Sequence, residues 1–185
     1  MIIQLCGLSG AGKTTIAHNV KRKALSYGTP VEIIDGDNYR AFLCKDLGFS
    51  KADRCENIRR LGFVASRLSE HGIICIISAI NPYHAVREEL SNAYAHVKTV
   101  FVDCPVHTLM ERDTKGLYKR ALLPDHHPDK LHNLTGVNDP FEVPISPDLH
   151  LKTHEKTIAA CTNELFSFIL QSFQTHTHPY QAVTA

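Results

Sequence analysis

The chain has 185 residues, 43% of them hydrophobic and 21% charged, with a formal net charge of +1. That length carries one ordinary core without disulfide or metal staples. The near-zero charge excludes a global field that would gather nucleic acid or an anionic membrane, so any preference for anions must come from local clusters. The longest apolar run, Ile73 to Ile80, is too short to span a bilayer. The six cysteines (Cys6, Cys44, Cys55, Cys75, Cys104, Cys161) form no CxxC pair and no metal-finger spacing, and several sit inside apolar runs. They read as reduced thiols of a cytoplasmic protein. The N-terminus opens directly into an apolar strand and does not read as a signal peptide.

In chain order, Ile2 to Cys6 is a short buried strand by length and β-branched content. Thr14 to about Tyr27 has helical spacing and is stopped by Gly28 and Pro30. Val31 to Ile34 is a second strand running into an Asp35-Gly36-Asp37 turn. Ser50 and Asp53 resemble a capping box, with Asp in place of Glu, opening a helix to about His71. Ile73 to Ser78 is a third strand, a helix follows Asn81-Pro82, and Val97 to Val102 is a fourth strand. A short helix begins after Pro105. Residues 119 to 148 are basic at first, then rich in His, Asp, Pro and Asn without a period, which predicts a functional lid. Asp148 to Leu151 is a last short strand, Glu155 to Phe173 a closing amphipathic helix, and 174–185 a frayed tail.

Strands alternating with helices predict one domain over residues 1–173: a three-layer α/β/α fold with a parallel five-stranded sheet. Ligands of such sheets bind beyond the carboxyl ends of the strands. Asp35, Asp37, Ser78, Asn81 and Asp103 all fall there.

Gly7-Leu8-Ser9-Gly10-Ala11-Gly12-Lys13-Thr14 fits G-x-x-x-x-G-K-[ST] between a predicted strand and a predicted helix. The glycines turn backbone N–H groups toward one point, and the helix N-terminus adds a positive dipole end. Lys13 would neutralise the β- and γ-phosphates of ATP, and the Thr14 hydroxyl would hold Mg²⁺. Thr15 extends the cradle. Beyond the second strand, Asp35 and Asp37 are carboxylates able to take a proton from an attacking hydroxyl or orient metal-bound water. Arg40, Arg54 and Asn57 begin an anion site, with Arg54 and Asn57 three apart on one helix face. Arg59 and Arg60 either continue that site or form a solvated basic face. His126, His127 and His132 lack a completing ligand and read as polar loop residues rather than a metal site. His176 and His178 in the tail read as solvated.

Asp46-Leu47-Gly48-Phe49-Ser50, Asp53-Arg54 and Glu56-Asn57-Ile58-Arg59-Arg60 together resemble the signature of adenylylsulfate (APS) kinases. So do Asp35-Gly36-Asp37-Asn38, Arg112-Asp113-x-Lys115-Gly116-Leu117-Tyr118, and Leu134 to Glu142 with Pro144, Pro147 and Thr153. The similarity runs in order from about residue 2 to 170. It implies a P-loop NTPase of nucleoside-monophosphate-kinase type with a mobile lid, usually dimeric. The implied reaction carries the γ-phosphoryl of ATP to the 3′-hydroxyl of APS, giving PAPS and ADP in sulfate assimilation.

Carried over by the resemblance, Asp37 is the base or orienter, with Lys13 and Lys115 as the other catalytic groups. Arg112 and Thr153 join the ATP site. Asp35, Arg40, Arg54, Asn57, Ile80, Lys115 and Leu134 join the acceptor site. Two departures concern the acceptor base: Ala79 and Leu134 stand where the family is expected to carry clamping phenylalanines. A third is Asn81, at the position of a serine associated with a phosphoserine; an amide cannot form that ester, so direct in-line transfer is expected. The altered base positions leave open a kinase of another nucleotide, such as a cytidine diphosphoramidate for surface polysaccharide. A non-catalytic nucleotide-binding regulator is a third reading. The presence of Lys13, Thr14, Asp37, Arg54 and Lys115 together speaks against it.

Overall fold

The computed structural model describes residues 1–174. Its elements in chain order are β1 (Ile2–Cys6), α1 (Lys13–Leu25), β2 (Val31–Asp35), α2 (Gly36–Phe42), α3 (Lys51–Glu70) and β3 (Ile74–Ser78). They continue with α4 (His84–Ala93), β4 (Val97–Asp103), α5 (Val106–Arg112), α6 (Leu117–Ala121), β5 (Leu149–Lys152) and α7 (Ile158–Gln174). The five strands form one sheet in the order β2-β3-β1-β4-β5, and every pairing is parallel.

Alternate strand residues feed two separate cores, as a sheet covered on both faces requires. Ile3 and Leu5 of β1 pack with Ile16, Ala17 and Val20 of α1 and with Leu165 and Ile169 of α7. Ile2, Ile34 and Ile77 pack the other way, against Ile58 and Leu61 of α3 and Leu90 of α4. All six cysteines are free and buried. No described helix is long and apolar enough to cross a membrane.

Ser50 caps α3 as its spacing predicts: its Oγ accepts from the Asp53 N–H at 3.1 Å and donates to Asp53 Oδ2 at 2.7 Å. Two elements were not legible: α6 (Leu117–Ala121), a short helix that overlaps the start of the segment expected to be a lid, and α2. Gly36 to Phe42 is a helix rather than a turn, because Asp35 Oδ1 accepts from the N–H groups of Asp37 and Asn38 and so caps it. The closing helix begins at Ile158, three residues later than expected, and includes Gln174; the rest of the tail, with His176 and His178, lies outside the described residues. Within the long 119–148 segment, the Leu134 carbonyl accepts from the N–H groups of Val137, Asn138 and Asp139, and Asn138 Nδ2 donates to Leu131 O. The segment is aperiodic, yet its backbone is tied.

Candidate active site

The phosphate loop leaves β1 and wraps the first turn of α1. Gly7 is obligatory: its φ is +150°, and a Cβ there would lie 2.2 Å from the Val102 carbonyl oxygen. Lys13 is buried and its Nζ donates to the carbonyls of Gly7 at 2.8 Å and Leu8 at 2.7 Å, within the loop that would hold the phosphates. Burial lowers its pKa from 10.5 to about 8. Two residues outside the motif support the loop. Tyr118, buried on α6, donates to Ser9 O at 2.8 Å, and burial pushes its hydroxyl up to about 12. Thr153, just after β5, donates to the carbonyls of Ala11 and Asp103. No role for Tyr118 was read from the sequence, where it is one residue of a longer string.

Thr14 Oγ1 lies 3.1 Å from Asp35 Oδ2 and 3.0 Å from Ser78 Oγ. These are hard oxygen donors at the mouth of the phosphate loop, and they suit Mg²⁺ carried in on ATP. Asp35 therefore serves two elements, with one oxygen toward Thr14 and the other capping α2. Among the described residues no group of three or more His, Cys, Asp or Glu could hold a metal on its own.

Two cavities meet here. One, of about 360 Å³, is lined by the loop from Ser9 to Thr15 and by Arg112, Lys115, Thr153 and Ile158. The second, of about 210 Å³, is lined by Arg40, Phe49, Arg54, Asn57, Asn81 and Pro82, among others. Asp37, Ala79 and Ile80 line both. The Asp37 carboxylate thus stands where the phosphate side opens onto the second cavity, and Lys115 Nζ lies 3.1 Å from its Oδ2.

In the second cavity, Arg54 is nearly buried and already engaged, donating to Phe49 O and Asn133 O and pairing with Asp139 at 2.8 Å. Arg40 donates to Gly48 O at 2.9 Å and lies 4.7 Å from the Phe49 ring centre. Asn57 is buried, and its Oδ1 has no hydrogen-bond partner. Phe49, half exposed, is the aromatic face of this cavity, whereas in the sequence it is one residue of the Asp46 to Ser50 string.

Three sequence candidates, Leu134, Arg59 and Arg60, lie elsewhere. Leu134 does not line either cavity and is buried in the hydrophobic core that includes β1, α1 and α7. Arg59 pairs with Glu89, and Arg60 with Asp46 and Glu56, so both cations are satisfied away from the cavity. Asn81 is buried with φ +47°, and its Nδ2 donates to Gln4 Oε1 at 3.0 Å.

Comparison with known proteins agrees with this geometry. An adenylyl-sulfate kinase of Synechococcus sp. (strain JA-3-3Ab) is 44% identical over 170 residues, covering 92% of each chain. One from Chloroflexus aurantiacus is 43% identical over 167 residues, covering 90% of this chain and 87% of the relative. Among solved structures, the APS kinase of Mycobacterium tuberculosis in complex with AMPPNP and APS superposes with a TM-score of 0.84 at 36% identity. It covers 91% of this chain and 96% of its own. The sequence profile of the adenylylsulphate kinase family matches residues 1–152, which include Gly7 to Thr15, Asp35 and Asp37, and the chain belongs to that family.

Proposed function

We propose that this adenylylsulfate kinase carries the γ-phosphoryl of ATP to the 3′-hydroxyl of adenosine 5′-phosphosulfate, with Asp37 receiving or orienting the hydroxyl proton. The observation that carries this reading is that Asp37 lines both cavities, so a donor in one and an acceptor in the other would meet at its carboxylate. Gly7 to Thr15, Arg112 and Thr153 hold ATP, with Lys13 on its terminal phosphates. Thr14, oriented by Asp35 and Ser78, would hold Mg²⁺, which would supply charge neutralisation to the transferred group. Arg40, Arg54, Asn57 and Ile80 bind the acceptor, and Phe49 offers its base or ribose an apolar face. Lys115 exchanges Asp37 for the phosphates as the site fills. Asn81 takes no phosphoryl group.

A closing lid over 119–148, a homodimer and a cytoplasmic location belong to the same reading. The homodimer rests on the family resemblance, and six free buried thiols support a reducing compartment. Light scattering of the purified protein tests the dimer. The function itself is tested by offering purified protein Mg²⁺–ATP with APS and, separately, with a cytidine diphosphoramidate. Saturable PAPS formation supports the reading. ADP release with the cytidine compound alone would overturn it.

A further inference from the structure

Arg87, on the first turn of α4, is 2% exposed. Among the described residues no carboxylate is bonded to it. Its Nη1 donates to the Asn81 carbonyl at 2.7 Å and its Nη2 to the Glu142 carbonyl at 2.6 Å. Burying a guanidinium without a bonded carboxylate is costly, and an apolar side chain of similar volume would fill the space without that cost. What the charge provides is two charge-assisted hydrogen bonds to carbonyls that would otherwise have lost water.

Those carbonyls belong to one junction. Three successive carbonyls of the turn after β3 are each tied to a different part of the molecule. Ile80 O accepts from Gly7 N at 3.1 Å, where the phosphate loop begins; Asn81 O accepts from Arg87; Pro82 O accepts from Glu142 N at 2.8 Å. The Glu142 carboxylate then accepts from His84 N at 2.6 Å, at the start of α4. The side chains of the turn are oriented too. The Arg87 carbonyl can only accept, so the atom of Gln4 that faces it at 2.9 Å must be Nε2. Gln4 Oε1 is then the acceptor for Asn81 Nδ2. Ile80, Asn81 and Pro82 form one wall of the acceptor cavity.

We propose that Arg87 is a positioning residue for the acceptor side of the reaction: by holding the Asn81 and Glu142 carbonyls together it sets the Ile80–Pro82 wall and anchors the end of the 119–148 segment to it. Arg87 touches neither cavity and acts through the turn. The proposal rests on the acceptor reading given above.

Kinetics of Arg87→Met and Arg87→Lys in the full chain, varying ATP and APS separately, test it. Arg87→Met raises the acceptor KM about tenfold or more and leaves the ATP KM within about twofold, because the Lys13, Tyr118 and Thr153 bonds that hold the phosphate loop do not involve Arg87. Arg87→Lys keeps the charge but not the fork that reaches both carbonyls, so its acceptor KM falls between the two. Equal changes in both KM values, or a lower Tm with both unchanged, would reduce Arg87 to a stabilising residue and overturn the proposal. Amide exchange in free Arg87→Lys is the second measurement, and serves where Arg87→Met does not fold. The Glu142 amide exchanges at least about tenfold faster than in wild type while β1 and β3 amides do not change. Unaltered Glu142 exchange would overturn the anchoring role. Failure of the wild-type protein to use APS would instead sink the acceptor reading, with the exchange measurement still deciding the role of Arg87.

Discussion

Lys115 Nζ lies 3.1 Å from Asp37 Oδ2, so the two side chains proposed for transfer neutralise each other. Both are largely exposed, at 56% and 82%, and an exposed pair of this kind holds little stability. It is therefore free to separate when phosphates arrive.

Asp37→Asn is expected to lower kcat by about 10² or more while leaving the APS KM within about threefold, since the amide keeps the shape and loses the basicity. The Tm should stay within about 1 °C of wild type, because the lost ion pair is exposed. Steady-state kinetics and a thermal melt check both. Normal turnover in this variant would remove Asp37 from the chemistry.

Lys13 couples stability to pH. Burial lowers its pKa in the folded protein from 10.5 to about 8. Folding therefore disfavours the charged form: the penalty is fully present below about pH 8 and is relieved as pH rises from 8 toward 10.5. Lys13→Met should abolish transfer yet stabilise the protein at pH 7 by about 1–3 kcal/mol, with that gain shrinking by pH 10. Urea unfolding at the two pH values measures it. A variant less stable than wild type at pH 7 would contradict this account.

Phe49 presents a half-exposed ring to the acceptor cavity, beside Arg40 and Arg54. Stacking of a base on an aromatic face contributes about 1–3 kcal/mol, so Phe49→Ala should raise the acceptor KM by about 5- to 150-fold and spare that for ATP. An unchanged acceptor KM would show that the acceptor does not use this ring.

Asn81→Ala should retain transfer, because its role is structural: Nδ2 satisfies Gln4 Oε1 in the buried network. Leaving that oxygen without a donor costs about 1–3 kcal/mol, to be seen in urea unfolding. Incubation of wild type with labelled ATP should leave no phosphate on residue 81. A stable label there would refute direct in-line transfer, and loss of transfer without loss of stability would refute a purely structural role for Asn81.

Much of the fold was legible because it is local. Hydrophobic periodicity with Gly and Pro punctuation located all five strands to within a residue or two, and the Ser50 cap announced α3. Helix α2 escaped because its seven residues are too few for a period and its cap is a catalytic-looking aspartate. The candidate site divides the same way. Arg54 and Arg59 look alike in sequence, but Arg59 meets Glu89 from α4 while Arg54 lines the cavity with Phe49 and Asn57. Leu134, expected in the acceptor site, is drawn into the core.

By itself the sequence determined the phosphate loop, since G-x-x-x-x-G-K-T works through backbone N–H groups and one lysine that are neighbours along the chain. It also determined the family, because an ordered series of motifs spans most of the length. Only the tertiary structure decided which cations are open to a ligand, that Phe49 is the aromatic wall, and that Arg87 ties the Asn81 turn to Glu142. The physical reason is that a charge or a ring acquires its role from its partners. Here those partners come from elements far apart in the chain and meet only once the sheet has brought them together.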